Sequence, residues 1–255
     1  MNTMEQRFVE TIERVYREQG RDAFFGWFDG DSNNEQALKN GFFDFSVTVL
    51  RDPVPLHLSI SYEKVALEIG YGGGRLLHAA AHMFKEVIGV DIHPMGAVVD
   101  DMLRSKGLSN FRLYTGNGKN FPVDSELVDF VYSHIVFLHL SGPDVLESYI
   151  TEVFRVLRSG GIASLYYGRP YSFRAKSAKS PFISTLYHTI EPFAELLLDI
   201  RSNGYRCLPD GPANSMSLMV TQRKIKHLAI NCGFEVISLR TNRKWSQGHL
   251  VLRKP

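Results

Sequence analysis

Val65-Ala-Leu-Glu-Ile-Gly-Tyr-Gly-Gly-Gly74 decides the fold: an apolar run ends in an acid-bearing strand and passes into a glycine-dense turn. Val65 to Ile69, apolar except for Glu68, suits a strand buried on both faces of a parallel sheet. Gly70, Gly72, Gly73 and Gly74 permit positive φ and let a backbone approach a ligand where a Cβ would clash. Arg75 onward reads as a helix. Strand, glycine loop and helix in this order wrap a nucleoside-bearing cofactor. The spacing narrows which one, because a dinucleotide fingerprint needs glycines at 70, 72 and 75, and position 75 is Arg. A dehydrogenase or reductase using NAD is thereby disfavoured.

The same order continues along the chain. Val87 to Val90 is a second apolar strand ending in Asp91, about twenty residues past the loop, where an acid can accept both ribose hydroxyls. Asp91 also precedes the helix-compatible stretch Met95 to Lys106, so a plain helix N-cap is the competing role. Phe111 to Thr115 is a third strand, followed by Gly116-Asn-Gly-Lys-Asn-Phe-Pro122. A fourth, Val128 to Tyr132, leads into Ser133-His-Ile-Val-Phe-Leu-His-Leu140. Asp144 to Arg158 carries Val145, Leu146, Tyr149, Ile150, Val153 and Leu157 at the spacing of an amphipathic helix lying on a sheet. Ile162 to Tyr167 supplies a fifth strand, Thr221 to Asn231 a helix, and Gly233 to Arg240 and Gly248 to Leu252 the last strands.

Positions 68, 70, 72 and 74 give in full the acid-x-Gly-x-Gly-x-Gly pattern that opens class I S-adenosylmethionine-dependent methyltransferases, and the chain resembles that family. Glu152-Val-Phe-Arg-Val-Leu-Arg-Ser-Gly-Gly161 is similar to the family's Glu-x-x-Arg-Val-Leu-x-Pro-Gly-Gly turn, with Ser159 in place of proline. The resemblance spans residues 60–168 closely and 218–253 loosely. It implies a Rossmann-like doubly wound α/β sandwich whose mostly parallel seven-stranded sheet has an antiparallel last strand. It implies S-adenosylmethionine as cofactor, bound through Glu68, Gly70, Tyr71, Gly72, Gly74, Asp91, Ile92, Asn117, Gly118 and Ser133. In the family an acid at position 117 accepts a hydrogen bond from the adenine amine. The Asn117 amide oxygen can accept that bond too, although a neutral acceptor is weaker, and Asn-Gly is also an ordinary turn.

The implied chemistry is direct transfer of a methyl group, in which the protein mainly aligns the acceptor and keeps water out. A base is needed only when the acceptor's proton is costly to remove. His134 and His139 follow the strand whose carboxyl end faces the acceptor, and imidazole titrates near neutral pH; they are the catalytic candidates, with structural hydrogen bonding as the alternative. Tyr132 and Tyr71 come after them. Tyr132-Ser-His-Ile stands where many amino-directed methyltransferases carry Asn/Asp-Pro-Pro-aromatic, which argues against DNA-adenine chemistry. The expected acceptor is a small molecule, methylated at oxygen. A non-catalytic S-adenosylmethionine-binding subunit and an enzyme acting on protein or RNA are the alternatives. His78 and His82 lie four apart, but Ala79, Ala80 and Ala81 between them provide neither a base nor a third ligand, so no metal site is assigned. His57, His93, His188, His227 and His249 form no usable pattern.

Composition agrees with one soluble globular unit: of 255 residues, 44% are hydrophobic and 22% charged. A net charge of +2 gives no bulk attraction to nucleic acid. The basic stretch Arg169 to Lys179, with Arg174 and Lys176, reads as a solvated loop more readily than a phosphate strip. The two cysteines, Cys207 and Cys232, have no paired spacing, and Cys232 falls on the apolar face of its helix. No signal-peptide core or membrane-length apolar run is present, so a cytoplasmic location is expected.

Four regions follow: an N-terminal segment (1–58), the cofactor-binding core (59–168), an inserted helical cap (169–217) and the completion of the sheet (218–255). In the first, Phe8, Ile12, Val15 and Tyr16 share a helical stripe. Phe24, Phe25, Trp27 and Phe28 crowd a Gly-flanked loop, as a lid over the acceptor or as a staple docking the helix. In the third, Ile183, Leu186, Tyr187, Ile190, Phe193, Leu197 and Ile200 make an apolar stripe, kinked or broken at Pro192. That stripe covers the substrate pocket or forms a homodimer face.

Overall fold

The computed structural model describes residues 3–29, 34–170, 181–208, 211–213, 215–241 and 247–255, with the side chains of 34, 181–189 and 191 outside that description. Three helices, α1 (Met4–Asp29), α2 (Asn34–Asp44) and α3 (Val54–His57), precede the first strand, and a π-helical turn at Phe45–Val49 follows α2. The alternating part runs β1 (Val65–Ile69), α4 (Arg75–Ala81), β2 (Glu86–Asp91), α5 (Gly96–Ser105), β3 (Phe111–Thr115) and β4 (Val128–Ser133). After a 3-10 turn at Phe137–His139 come α6 (Pro143–Val156), β5 (Leu157–Gly168), α7 (Pro181–Ser202), β6 (Tyr205–Cys207) and β7 (Leu218–Val220). The chain closes with α8 (Gln222–Asn231), β8 (Glu235–Thr241) and β9 (Gln247–Arg253).

Among the described residues, seven strands form one sheet in the order β3-β2-β1-β4-β5-β9-β8. Strand β9 alone runs against the other six, so the doubly wound sandwich with one reversed strand is the observed architecture. The chain winds outward from β1 in one direction and from β4 in the other, and the crevice at this switch point is where such sheets bind ligands. The pleat sorts the side chains of β1: Val65, Leu67 and Ile69 join the core under α6 and α8, whereas Ala66 joins the core under α4, α5 and the N-terminal helices. Glu68 falls on that second face, beside Tyr132.

The N-terminal segment departs from expectation. Phe24, Phe25, Trp27 and Phe28 lie in α1, not in a loop. Gly20 (φ 85°, ψ −170°) breaks the helix, and the two halves fold back on each other: Phe8 meets Trp27 at 5.5 Å and Tyr16 meets Phe24 at 6.2 Å between ring centroids. An unbroken helix would hold residues 8 and 27 roughly 28 Å apart. Phe24 and Phe25 are buried in the core.

Other expectations are corrected as well. Asp91 is not an N-cap: α5 begins after Met95, without a side-chain cap. Pro192 sits inside α7 without ending it, and the described half of the α7 stripe faces outward, with Phe193 67% and Ile200 75% exposed. Ile183, Leu186 and Tyr187 lie outside the described side chains. Arg169 is buried at 3% exposure, 3.9 Å from Glu195 of α7, not solvated; Arg174, Lys176 and Lys179 lie outside the described residues. Cys232 is half-buried just beyond α8, with Sγ 3.8 Å from the Ile150 carbonyl oxygen. No helix among the described residues is long and apolar enough to cross a membrane.

Candidate active site

A cavity of about 340 Å³ opens at the carboxyl ends of β1, β2 and β4, within the roughly 300–1,000 Å³ common for small-molecule sites. Its floor comes from the turns that follow these strands and its roof from α1.

The floor is tied together at Asp91. The Gly72 N–H donates to Asp91 Oδ2 at 2.9 Å, and the Ile92 N–H donates to Oδ1 at 2.7 Å. His93 completes the clamp. Its Nδ1 accepts the Met95 N–H at 3.2 Å, so the Nε2–H is the donor to the Gly72 carbonyl oxygen at 3.1 Å. An imidazole two residues past the ribose-type acid thus fixes the glycine loop, a role the sequence did not signal. Gly70 (φ 75°) and Gly72 (φ 49°) hold backbone conformations that favour glycine. A Cβ on Gly70 would collide with Val136, and one on Gly72 would come 2.7 Å from Phe28 of the roof.

Not every cofactor candidate reaches the cavity. Glu68, Gly70, Tyr71, Gly72, Asp91, Ile92 and Gly118 line it. Gly74 instead starts α4 where it packs on Val99 of α5. Ser133 is fully buried, its Oγ donating to the Ile69 carbonyl oxygen at 3.2 Å, which pins β4 to β1. Asn117 is exposed, and its Oδ1 accepts the Lys119 and Asn120 N–H groups at 2.9 and 2.8 Å, the turn role. Asn120 and Gly116 face the cavity from that loop.

Burial, only partly offset by the Tyr132 hydroxyl at 3.1 Å and by Arg75, raises the Glu68 carboxyl to about 8. Burial and then the Asp91 charge push the Tyr71 phenol upward. Tyr149 of α6, on the same wall, is raised by burial and then by Asp91 and Glu5; its helical spacing marks it only as core.

His134 and His139 both reach the cavity. Burial, with Arg75 adding to it, lowers His134 to about 4, and its Nε2 is buried without a hydrogen-bond partner among the described residues. His139, in contrast, has a hydrogen-bond partner. Its Nδ1 lies 2.7 Å from the Ser215 carbonyl oxygen; a carbonyl only accepts, so Nδ1 carries the proton and Nε2 presents a lone pair. Burial lowers this imidazole too. Between the two, Ile135 has φ 66°, a strained value for a β-branched residue, beside the cavity lip. His78 and His82 face each other at 5.0 Å with Phe42 against both, on α4 and away from the cavity.

The lining suits a cationic nucleoside cofactor. Glu5, Asp29, Glu68 and Asp91 contribute carboxyl groups, and Arg75 is the lysine or arginine among the described lining residues. Met4, Phe8, Trp27 and Phe28 of α1 close the top with apolar surface.

Residues 67–165 match the family model of a methyltransferase domain. No curated protein matches the chain. Among solved structures, the chain is similar to the N-methyltransferase NodS from Bradyrhizobium japonicum, in complex with S-adenosyl-L-homocysteine (13% identity, 98% of this chain and 99% of that one, TM-score 0.57). It is also similar to a putative sarcosine dimethylglycine methyltransferase from Galdieria sulphuraria (15%, 86% and 87%, 0.57). A third is an S-adenosylmethionine-dependent methyltransferase from Aquifex aeolicus (13%, 88% and 100%, 0.54). At these identities the likeness is one of fold. Residues 67–165 are therefore a methyltransferase domain of the class I family, and the chain is an enzyme that takes S-adenosylmethionine as its methyl donor.

Proposed function

We propose that the enzyme methylates a hydroxyl of a small, largely apolar molecule, with His139 as the general base. The observation that carries this reading is the His139–Ser215 hydrogen bond, which leaves Nε2 of this cavity-lining imidazole as the unprotonated nitrogen. Bound S-adenosylmethionine supplies a methyl group on a sulfonium, already activated for displacement. The chain's own work is then to place the acceptor in line, exclude water and receive one proton. His139 Nε2 receives the acceptor's proton, and burial keeps that nitrogen free of a proton at neutral pH. Asp91 and Glu68 hold the nucleoside and amino-acid ends, Gly70 to Gly73 bring the backbone close, and α1 forms the roof. The 169–217 segment bounds the acceptor side through Ala213 and Ser215.

The chemistry of the walls favours oxygen. Carboxylates around the site would hold an alkylamine in its protonated, non-nucleophilic form, whereas a hydroxyl stays neutral. Arg75, the lysine or arginine among the described lining residues, is engaged by Asp29 and Asp44, so no described lining residue offers a free guanidinium or ammonium to an anionic acceptor. The test is to incubate the chain with methyl-labelled S-adenosylmethionine and matched panels of apolar alcohols, phenols and amines, with protein and RNA fractions alongside. Label in a methyl ether, with His139→Ala lowering kcat about 10²- to 10⁴-fold, is the expected result. Label only on amines, protein or RNA would overturn the acceptor assignment, and cofactor binding without turnover on any acceptor would favour a non-catalytic subunit.

A further inference from the structure

Among the described residues, Glu126 (φ 56°), Ile135 (φ 66°) and Asn203 (φ 50°) are the non-glycine residues with positive φ. Asparagine enters this left-handed region readily, whereas a β-branched side chain crowds its own backbone there. Ile135 is the branched one of the three, and it is the one that lines the cavity. Its neighbours account for the bend. Ser133 ends β4 and is bonded to Ile69, and His134 packs edge-on against Tyr166 at 5.3 Å between ring centroids. Val136 packs on the core beneath α6, and its carbonyl oxygen accepts the His139 N–H at 2.8 Å, where the 3-10 turn starts. The reversed φ at 135 joins these two anchored pieces, and both histidines reach one cavity. The bend explains the backbone but not the side chain, because a glycine at 135 would make it without strain.

The isoleucine side chain gives the fold little packing in return. Ile135 belongs to neither core among the described residues and is 38% exposed at the cavity lip. A strained residue whose side chain stands outside the core points to a use other than folding, and apolar surface on a cavity wall is repaid when a ligand covers it. We propose that the Ile135 side chain is a wall of the acceptor subsite and determines specificity for apolar acceptors. The assignment rests on the reading that the acceptor lies beside His139, on the β4 side of the cavity, with the cofactor on the turns after β1 and β2. Ile135 then contributes to the acceptor in proportion to its apolar surface and contributes nothing to the cofactor.

Titrating 1-octanol into the whole chain saturated with S-adenosylhomocysteine reads the wall without requiring turnover. Ile135→Gly keeps the bend and removes the side chain. It should weaken octanol about 10- to 100-fold, the scale of burying one isoleucine side chain, and leave the affinity for S-adenosylhomocysteine within about twofold. Its melting temperature should be no lower than that of the wild type, because the strain is relieved. Ile135→Val, one methylene shorter, should bind octanol with an affinity between the two. Unchanged octanol affinity in Ile135→Gly would overturn the proposal, as would a wild-type chain that does not bind octanol. An equal loss for octanol and S-adenosylhomocysteine would also overturn it, and so would a melting temperature lowered by more than about 4 °C, the mark of a packing residue. Methyl transfer to octanol, followed in the same samples with labelled S-adenosylmethionine, keeps the two readings apart. Octanol binding that depends on Ile135 without a labelled ether would sink the oxygen-directed reaction and leave the wall standing; a labelled ether with binding indifferent to Ile135 would do the reverse.

Discussion

Residues 65–91 and residues 4–29 face each other across one cavity, and they hold their shape by different means. The floor is a hydrogen-bonded clamp: Asp91 and His93 fix Gly72 through its N–H and its carbonyl oxygen, and Glu68 and Ser133 tie β1 to β4. The roof is an aromatic hairpin that turns at Gly20, with Phe24 and Phe25 anchored in the core and Phe28 set against Gly72. Hydrogen bonds to a shared carboxylate specify positions closely, because a lost partner leaves a buried group unsatisfied. Aromatic packing specifies a surface, and a surface can lift and close again. The floor is therefore expected to keep its shape when ligand binds, and the roof to be the element whose protection changes most.

The largest effect is expected on the floor. Asp91→Ala removes the acceptor of the Gly72 and Ile92 N–H groups together with the proposed ribose contact, and cofactor affinity should fall by about 1.5–3 kcal/mol, the scale for bonds to a charged group. The measurement is the dissociation constant of S-adenosylhomocysteine in a variant that melts cooperatively. An unchanged constant would reduce Asp91 to a support for backbone amides.

A smaller effect concerns pH. Between its unfolded value near 4.5 and its folded value near 8, Glu68 keeps a proton in the native chain that the unfolded chain has lost. Stability from this group therefore falls as pH rises through that window, by roughly 1.4 kcal/mol per unit. His78, His134 and His249, each lowered by burial to about 4, act with the opposite sign: the native chain binds fewer protons than the unfolded one between about 4 and 6.5, so their contribution rises with pH there. Above 6.5 the histidines no longer contribute to the slope, and Glu68 leaves a decline to pH 8. Melting temperatures at pH 6.5 and 8 should drop for the wild type and level off for Glu68→Gln. Equal slopes in the two proteins would show that Glu68 is ionised in the free enzyme.

The same contrast explains what the sequence disclosed. The floor was legible because strand, glycine loop, strand and acid recur at intervals that a parallel sheet dictates, and β1, β2 and Asp91 stand where those intervals put them; the reversal of β9 is what the family resemblance implied. Finer assignments were lost where one residue type serves two roles: Asn117 closes its own turn while Asn120 faces the cavity, and Ser133 bonds inward to Ile69. The roof was illegible for another reason. Phe24, Phe25, Trp27 and Phe28 fit a helical spacing as well as a loop, and the fold-back depends on a single glycine whose φ no composition reveals. The pairing of Phe8 with Trp27 is a contact across that turn, visible only once the chain doubles back.

The most direct measurement is hydrogen exchange on the whole chain with and without S-adenosylhomocysteine. If α1 roofs the cofactor, amides of residues 70–74 and of both halves of α1 gain protection together when the ligand binds, with the larger gain in α1 because it is the element that closes. Protection that rises in residues 70–74 while α1 exchanges at the same rate with and without ligand would contradict the account.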